Sequence, residues 1–224
     1  MKVKILRRKA PDSESYWESF DYDGTRDISV AGLLDYLNYN DDIVNDKGEK
    51  TTRIGWECSC LQGVCGACAM VINEVPALAC ETFLKDLKED IEIRPLRKFP
   101  VLHDLMVDRS IIQENLKSAD VYIGEYKLKE KEDHNLQYNA AKCLKCGLCL
   151  EVCPNYTNGN TFYVALFVND CYLVSSRNHE KSKAIKDVYG QHFGNSCSKA
   201  LSCMEVCPMK ISTIAAMAKL NRLQ

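Results

Sequence analysis

Thirteen cysteines in a chain of 224 residues constrain what it can fold into more than any other feature, because eleven of them fall in tight runs with metal-ligand spacing. Cysteines two residues apart are poorly placed to staple distant segments, and their number is odd, so a disulfide framework is disfavoured. The opening "MKVKILRRKAPDSESYW" has neither the uninterrupted apolar stretch nor the small-residue cleavage site of a secretory leader. Such a chain is expected in a reducing compartment, using its thiols for soft-metal chemistry.

The first run, "CSCLQGVCGAC" (58–68), followed by Cys80, reads Cys60-x4-Cys65-x2-Cys68-x11-Cys80. This is the plant-type spacing for a [2Fe–2S] cluster. Two irons each need two thiolates, so a tight loop wraps one side and a fourth cysteine must return from elsewhere. Gly63 and Gly66 let the backbone bend so that amide N–H groups can point at sulfur. "AMVINEVPALAC" (69–80) reads as strand, turn at Asn73-Glu74 and strand, which brings Cys80 back. The alternatives fit less well: structural zinc more often uses two separated pairs, and a redox Cys-x2-Cys sits at a strand–helix junction without further cysteines beside it. Cys58 is spare, either a non-ligating thiol or an alternative ligand.

"CLKCGLCLEVCP" (143–154) is the bacterial ferredoxin run, and "CSKALSCMEVCP" (197–208) repeats it with Ala200 where a cysteine is due. In two-cluster ferredoxins three cysteines of a run hold one cubane and the fourth ligates the other. On that rule Cys143, Cys146, Cys149 and Cys207 hold a [4Fe–4S] cluster, and Cys153, Cys197 and Cys203 hold the second. Alanine cannot bind iron, so the second cluster is expected as [3Fe–4S]. Its charge differs, and charge is one determinant of potential, so it reads as a higher-potential relay. The alternative is a decayed site keeping a labile [4Fe–4S] cluster with water. Cys171, in the apolar "YVALFVNDCYLV" (163–174), reads as a core thiol.

Alternating segments at "VKIL" (3–6) and "DIEIRPL" (90–96), with a helical stripe in 27–40, predict a small α+β domain around the first cysteine loop. "VLHDLMVDRSIIQENLKSA" (101–119) has apolar residues at helical spacing, as do 161–175, 180–190 and 211–221. A boundary near 97–104 therefore divides the chain into 1–98 and 99–224. The net charge is −2 with no basic stripe, so nucleic acid is not an expected partner. "KLKEKEDH" (127–134) mixes both signs and reads as a solvated helix face or linker. No apolar run approaches the ~20 residues of a membrane span. His103, His134, His179 and His192 are scattered, read as surface or packing residues, and form no Rieske-type pairing with cysteine; no nucleophile, Walker or GxGxxG motif is present.

Taken together, "SCLQGVCGACAM", "ALAC", "CLKCGLCLEVCP" and "CSKALSCMEVCP", with "FPVLHDLMVD" (99–108), resemble the iron–sulfur subunit of succinate dehydrogenase and fumarate reductase over nearly the whole chain. The resemblance implies a β-grasp ferredoxin domain followed by a mostly α-helical domain of two-cluster ferredoxin type. It implies an electron-transfer subunit without catalytic residues of its own, a flavoprotein partner carrying FAD and the dicarboxylate site, and one or more membrane-anchor subunits. It places the chain peripherally, on the cytoplasmic side of the membrane, in a respiratory chain that ends on a quinone near the [3Fe–4S] cluster. Pro154, Ser198, Met209 and Lys210 flank the ligands there and are the expected quinone surroundings. The tryptophan that ubiquinone-linked members carry after the first Cys-Pro is missing from "NYTNGN" (155–160), and Ser198 replaces a histidine. Menaquinone and fumarate reduction are therefore favoured. Another quinone-linked or thiol-driven reductase, or a free multi-cluster carrier, remains open at this point. A thiol-driven relative's extra cysteine-rich domain would be expected on another chain.

Overall fold

The computed structural model describes residues 1–39, 41–87, 90–125 and 133–222, so most of the mixed-charge stretch 127–134 lies outside the described residues. The chain forms two compact units, Met1–Asp108 and Arg109–Gln224.

In the first unit, β1 (Lys2–Arg7) turns Val3, Ile5 and Arg7 inward and its lysines outward, the two-residue period of a half-buried strand. β2 (Tyr16–Asp21) pairs with it antiparallel. Helix α1 (Val30–Asn38) starts where the Ser29 hydroxyl accepts from the Gly32 N–H at 3.2 Å, and it buries Val30, Leu33 and Leu34. A small hairpin, β3 (Ile43–Val44) and β4 (Lys50–Thr51), comes next. β5 (Ala69–Ile72) and β6 (Val75–Leu78) form the expected hairpin, with Asn73 and Glu74 both left-handed at φ 46° and 67°. That handedness matches the twist of the strands it joins. β7 (Ile91–Arg94) runs parallel to β1, placing Ile91 opposite Val3 and Ile93 opposite Ile5. The sheet order is β2-β1-β7-β5-β6, the mixed sheet of a β-grasp domain.

Residues 101–107 correct the helical expectation. They form β8 (Val101–His103) and β9 (Met106–Val107), and helix starts only at α2 (Ser110–Ser118). The cause is Asp104, 1% exposed and left-handed at φ 47°. Its carboxylate accepts from Arg8 N at 2.9 Å and Gly55 N at 2.8 Å, and it pairs with Arg7 Nε at 3.0 Å. Arg7, equally buried, also donates to Glu18 Oε2 at 2.6 Å and to the Thr52 and Arg53 carbonyls. An aspartate so placed holds the segment as a turn of the first unit. The units accordingly divide after Asp108, later than residue 98.

The second unit is built on α5 (Val164–Arg177). Before it come α3 (His134–Ala141) and the short α4 (Leu148–Val152); after it come α6 (Ser182–His192), α7 (Ser202–Glu205) and α8 (Thr213–Arg222). α5 packs against α3, α4, α6 and α8 and is therefore buried almost all round. This explains its continuous apolar sequence and the complete burial of Cys171. α4 packs on α7, which brings the two cysteine runs together.

Candidate metal centres

The loop from β4 to β5 carries the first thiols. Left-handed residues at Leu61, Gly63 and Gly66 curl it so that backbone N–H groups face sulfur. Gln62 N donates to Cys60 Sγ at 3.4 Å, Gly63 N to Cys80 Sγ at 3.2 Å and Ala67 N to Cys65 Sγ at 3.5 Å. Gly63 takes φ +70°, where an L side chain is strained, and a Cβ there would stand 2.7 Å from the Glu81 carboxyl, which would have to shift. The β5–β6 hairpin returns Cys80 to 3.4 Å from Cys68, sulfur to sulfur. The Gln62 N–H, the Cys65 thiol and the Val64 N–H together draw the Cys60 thiol down to about 7. Burial, with Cys68 adding to it, pushes Cys80 up to about 12. Cys58 is exposed and stands outside this set of amide contacts.

In the second unit Cys143, Cys146, Cys149, Cys203 and Cys207 line one cavity, and Cys153, Cys197 and Cys203 line another of about 320 Å³. The runs therefore interleave: Cys207 of the later run joins the three leading cysteines of the earlier one. Burial is the main force raising the thiols of Cys143, Cys146 and Cys149, with Cys146 at about 11. Neighbouring thiols push each up further, Cys207 among them for Cys143 and Cys146. Cys203 is raised by burial, then by Cys153 and Cys197. Thiolates crowded like this in an apolar setting need cationic charge among them, which is what iron supplies. The Tyr156 hydroxyl is buried beside Cys149, has no hydrogen-bond partner among the described residues, and is available to donate to a cluster sulfur. Among the described residues no three His, Cys, Asp or Glu side chains gather as a single ion would need. In the second unit the thiols instead line cavities, an arrangement suited to several irons bridged by sulfide. The residues present fit iron–sulfur clusters.

The residues expected around a quinone are not gathered at the second cavity. Pro154, Ser198 and Lys210 are exposed, Lys210 donating to the Glu205 carbonyl at 3.4 Å, and Met209 lines the first cavity. Met209, two residues after Cys207, thus lies with Cys207 at the first cavity. The second cavity is lined instead by Phe162, Phe193, Ile214 and Met217, with Lys199 and Asn221 among its polar groups.

Also missed was the pairing of Lys145 with Asp170 on α5. Burial pushes the Asp170 carboxyl up, and Lys145 opposes it. Burial would lower the Lys145 ammonium, but Asp170 and the Cys143 and Cys149 thiols hold it above its ordinary value. One signal existed in the sequence: aligning the runs on their prolines puts Lys145 opposite Lys199.

A family model described as a 2Fe-2S iron-sulfur cluster binding domain matches residues 2–114, and one described as a 4Fe-4S binding domain matches residues 136–156. The chain is 33% identical to the succinate dehydrogenase iron-sulfur subunit of Bacillus subtilis (strain 168), covering 97% of this chain and 90% of that protein. It is 30% identical to the fumarate reductase iron-sulfur subunit of Escherichia coli O157:H7, covering 96% and 89%. A chain of the Mycobacterium smegmatis Sdh1 complex in the apo form superimposes with a TM-score of 0.77 at 23% identity, covering 100% of this chain and 96% of that one. The second unit's fold thus has a solved counterpart as well as the first's.

Proposed function

The chain belongs to the family of succinate dehydrogenase and fumarate reductase iron–sulfur subunits, and from that membership we propose that eleven of its cysteines, all but Cys58 and Cys171, hold three clusters that carry electrons between a flavoprotein and a quinone. It is the electron-transfer part of an oxidoreductase. Cys60, Cys65, Cys68 and Cys80 hold [2Fe–2S] in the unit ending at Asp108. In the unit beginning at Arg109, Cys143, Cys146, Cys149 and Cys207 hold [4Fe–4S], and Cys153, Cys197 and Cys203 hold [3Fe–4S]. The observation that supports this reading is the interleaving of the two runs: Cys143, Cys146, Cys149 and Cys207 line one cavity, Cys153 and Cys197 line another, and Cys203 lines both. Cys203 touches both cavities, and its thiol is raised first by burial and then by Cys153 and Cys197, which supports assigning it to the second.

When bound, the clusters supply one-electron carriers. The protein's own residues hold them at fixed positions, aim N–H groups at their sulfurs and exclude water from the first cavity's apolar wall. FAD and the dicarboxylate site belong to a flavoprotein partner, and the quinone, menaquinone in this reading, to a site shared with membrane-anchor subunits on the cytoplasmic side. Among the described residues no helix is long and apolar enough to cross a membrane, so the contact is assigned to partners. The largely apolar second cavity, with Lys199 at its edge, supports a quinone close to the [3Fe–4S] ligands; Pro154, Ser198 and Lys210 lie on exposed backbone flanking them.

Iron and acid-labile sulfide analysis of anaerobically purified protein tests the cluster set. It should return about nine iron atoms per chain, the sum of the three cluster types. Zinc in place of iron, or iron for only two clusters, would sink the assignment.

A further inference from the structure

Lys145 and Lys199 hold the same place in their runs, yet their charges are treated differently. Lys145 Nζ donates to Asp170 Oδ2, the two side chains being only 27% and 15% exposed. Asp170 reaches it from α5, between Asn169, which lines the first cavity, and the fully buried Cys171. Lys199 is exposed at the rim of the second cavity. Arg109 adds a further cation near the first cavity, donating to the Cys146 carbonyl at 3.3 Å.

A fixed charge beside a cluster biases its two redox states, which differ by one electron. A cation favours the reduced form and raises the potential; a carboxylate lowers it. In a partly buried site this bias is weakly screened by salt.

We propose that the Lys145–Asp170 pair sets the reduction potential of the cluster held by Cys143, Cys146, Cys149 and Cys207, with Asp170 cancelling the upward bias that Lys145 would impose alone. This rests on the reading that those cysteines hold a [4Fe–4S] cluster. Asp170 and Lys145 are positioning residues: they touch neither substrate nor quinone, and they act through the cluster's field. Among the described residues Lys199 has no such carboxylate partner, so its charge is left to bias its own site.

A merely structural tie between the loop and α5 predicts something different. Breaking it from either side would loosen the same loop and disturb the cluster in the same way. A charge-compensating pair gives shifts of opposite sign, which makes the proposal testable.

The experiment is an EPR-monitored redox titration of the assembled complex containing the full chain. Asp170→Asn should raise the [4Fe–4S] midpoint, and Lys145→Met should lower it. Each shift should be about tenfold in the one-electron equilibrium, or roughly 59 mV. The double variant should return toward the wild-type value. Lys145→Arg, which keeps the charge, should stay near it, and Lys199→Met should leave this cluster unmoved. Shifts of the same sign, no shift, or an equal shift in Lys145→Arg would each overturn the proposal. If Lys145→Met loses its cluster, the rise in Asp170→Asn set against an unmoved Lys145→Arg decides the matter. Absence of a [4Fe–4S] signal in the wild type would instead overturn the ligand assignment beneath it.

Discussion

The runs at 143–154 and 197–208 follow one backbone course in two different surroundings. Lys145 and Gly147 are left-handed at φ 56° and 87°; their counterparts Lys199 and Leu201 are left-handed at φ 58° and 63°. In each, the lysine N–H points back to the first thiol of its run, at Cys143 and at Cys197. In each, a short helix comes next, α4 and then α7. Yet α4 buries Leu148, Leu150 and Glu151, while α7 buries none of its residues. Replacing a ligand with Ala200 has therefore not unfolded the loop. Leu201 keeps a conformation that costs an L-residue about 1–2 kcal/mol. The exposure of the second run supports a partner that covers it.

Changing Ala200 to Cys should break this comparison most severely, by making the runs chemically equal. The oxidised [3Fe–4S] EPR signal should vanish, a second reduced [4Fe–4S] signal should appear, and the potential should fall by at least two of the ~59 mV steps that each mean a tenfold change. Quinone turnover should slow, while flavin-site activity with an artificial acceptor survives. An unchanged [3Fe–4S] signal would mean that something other than the missing thiolate sets the cluster type.

A cross-test sharpens the comparison next. Cys207→Ser, though in the later run, should remove the [4Fe–4S] signal, whereas Cys153→Ser, in the earlier run, should disturb [3Fe–4S]. The opposite pattern would show that each run serves only its own cluster. The smallest effect is expected at the paired left-handed positions. Gly147→Ala should cost about 1 kcal/mol, because glycine alone adopts that conformation freely. Leu201→Gly should gain a similar amount, and the thermal midpoints should separate by a few degrees. Shifts of equal sign would show that the two loops do not share a backbone geometry in solution.

The sequence disclosed those features that local chemistry dictates. Cluster ligation demands particular cysteine spacings, so the ligand runs were legible. The 69–78 hairpin was legible as well, through Asn73-Glu74 between two apolar strands. Residues 101–107 were not, because Leu102, Leu105 and Met106 fit a helical stripe as well as a hairpin. What decides between them is Asp104, whose partner Arg8 lies 96 residues away. The second cavity's lining was hidden for a related reason: Phe162, Phe193 and Met217 come from separate elements, and no spacing rule links them.

Asp104 also determines where this chain can be cut. A fragment ending at Lys98, with its sheet complete, would take Asp104 away from Arg7, which is buried in the whole chain and keeps Glu18 as a counter-charge. Removing one partner from a buried ion pair typically costs about 3–5 kcal/mol, a large share of what a domain of this size has in total. The portable form of the [2Fe–2S] unit therefore ends at Asp108 and carries the β8–β9 hairpin with it, although that hairpin supplies no ligand and no strand of the main sheet. Any fusion or exchange that moves this unit between polypeptides has its seam there.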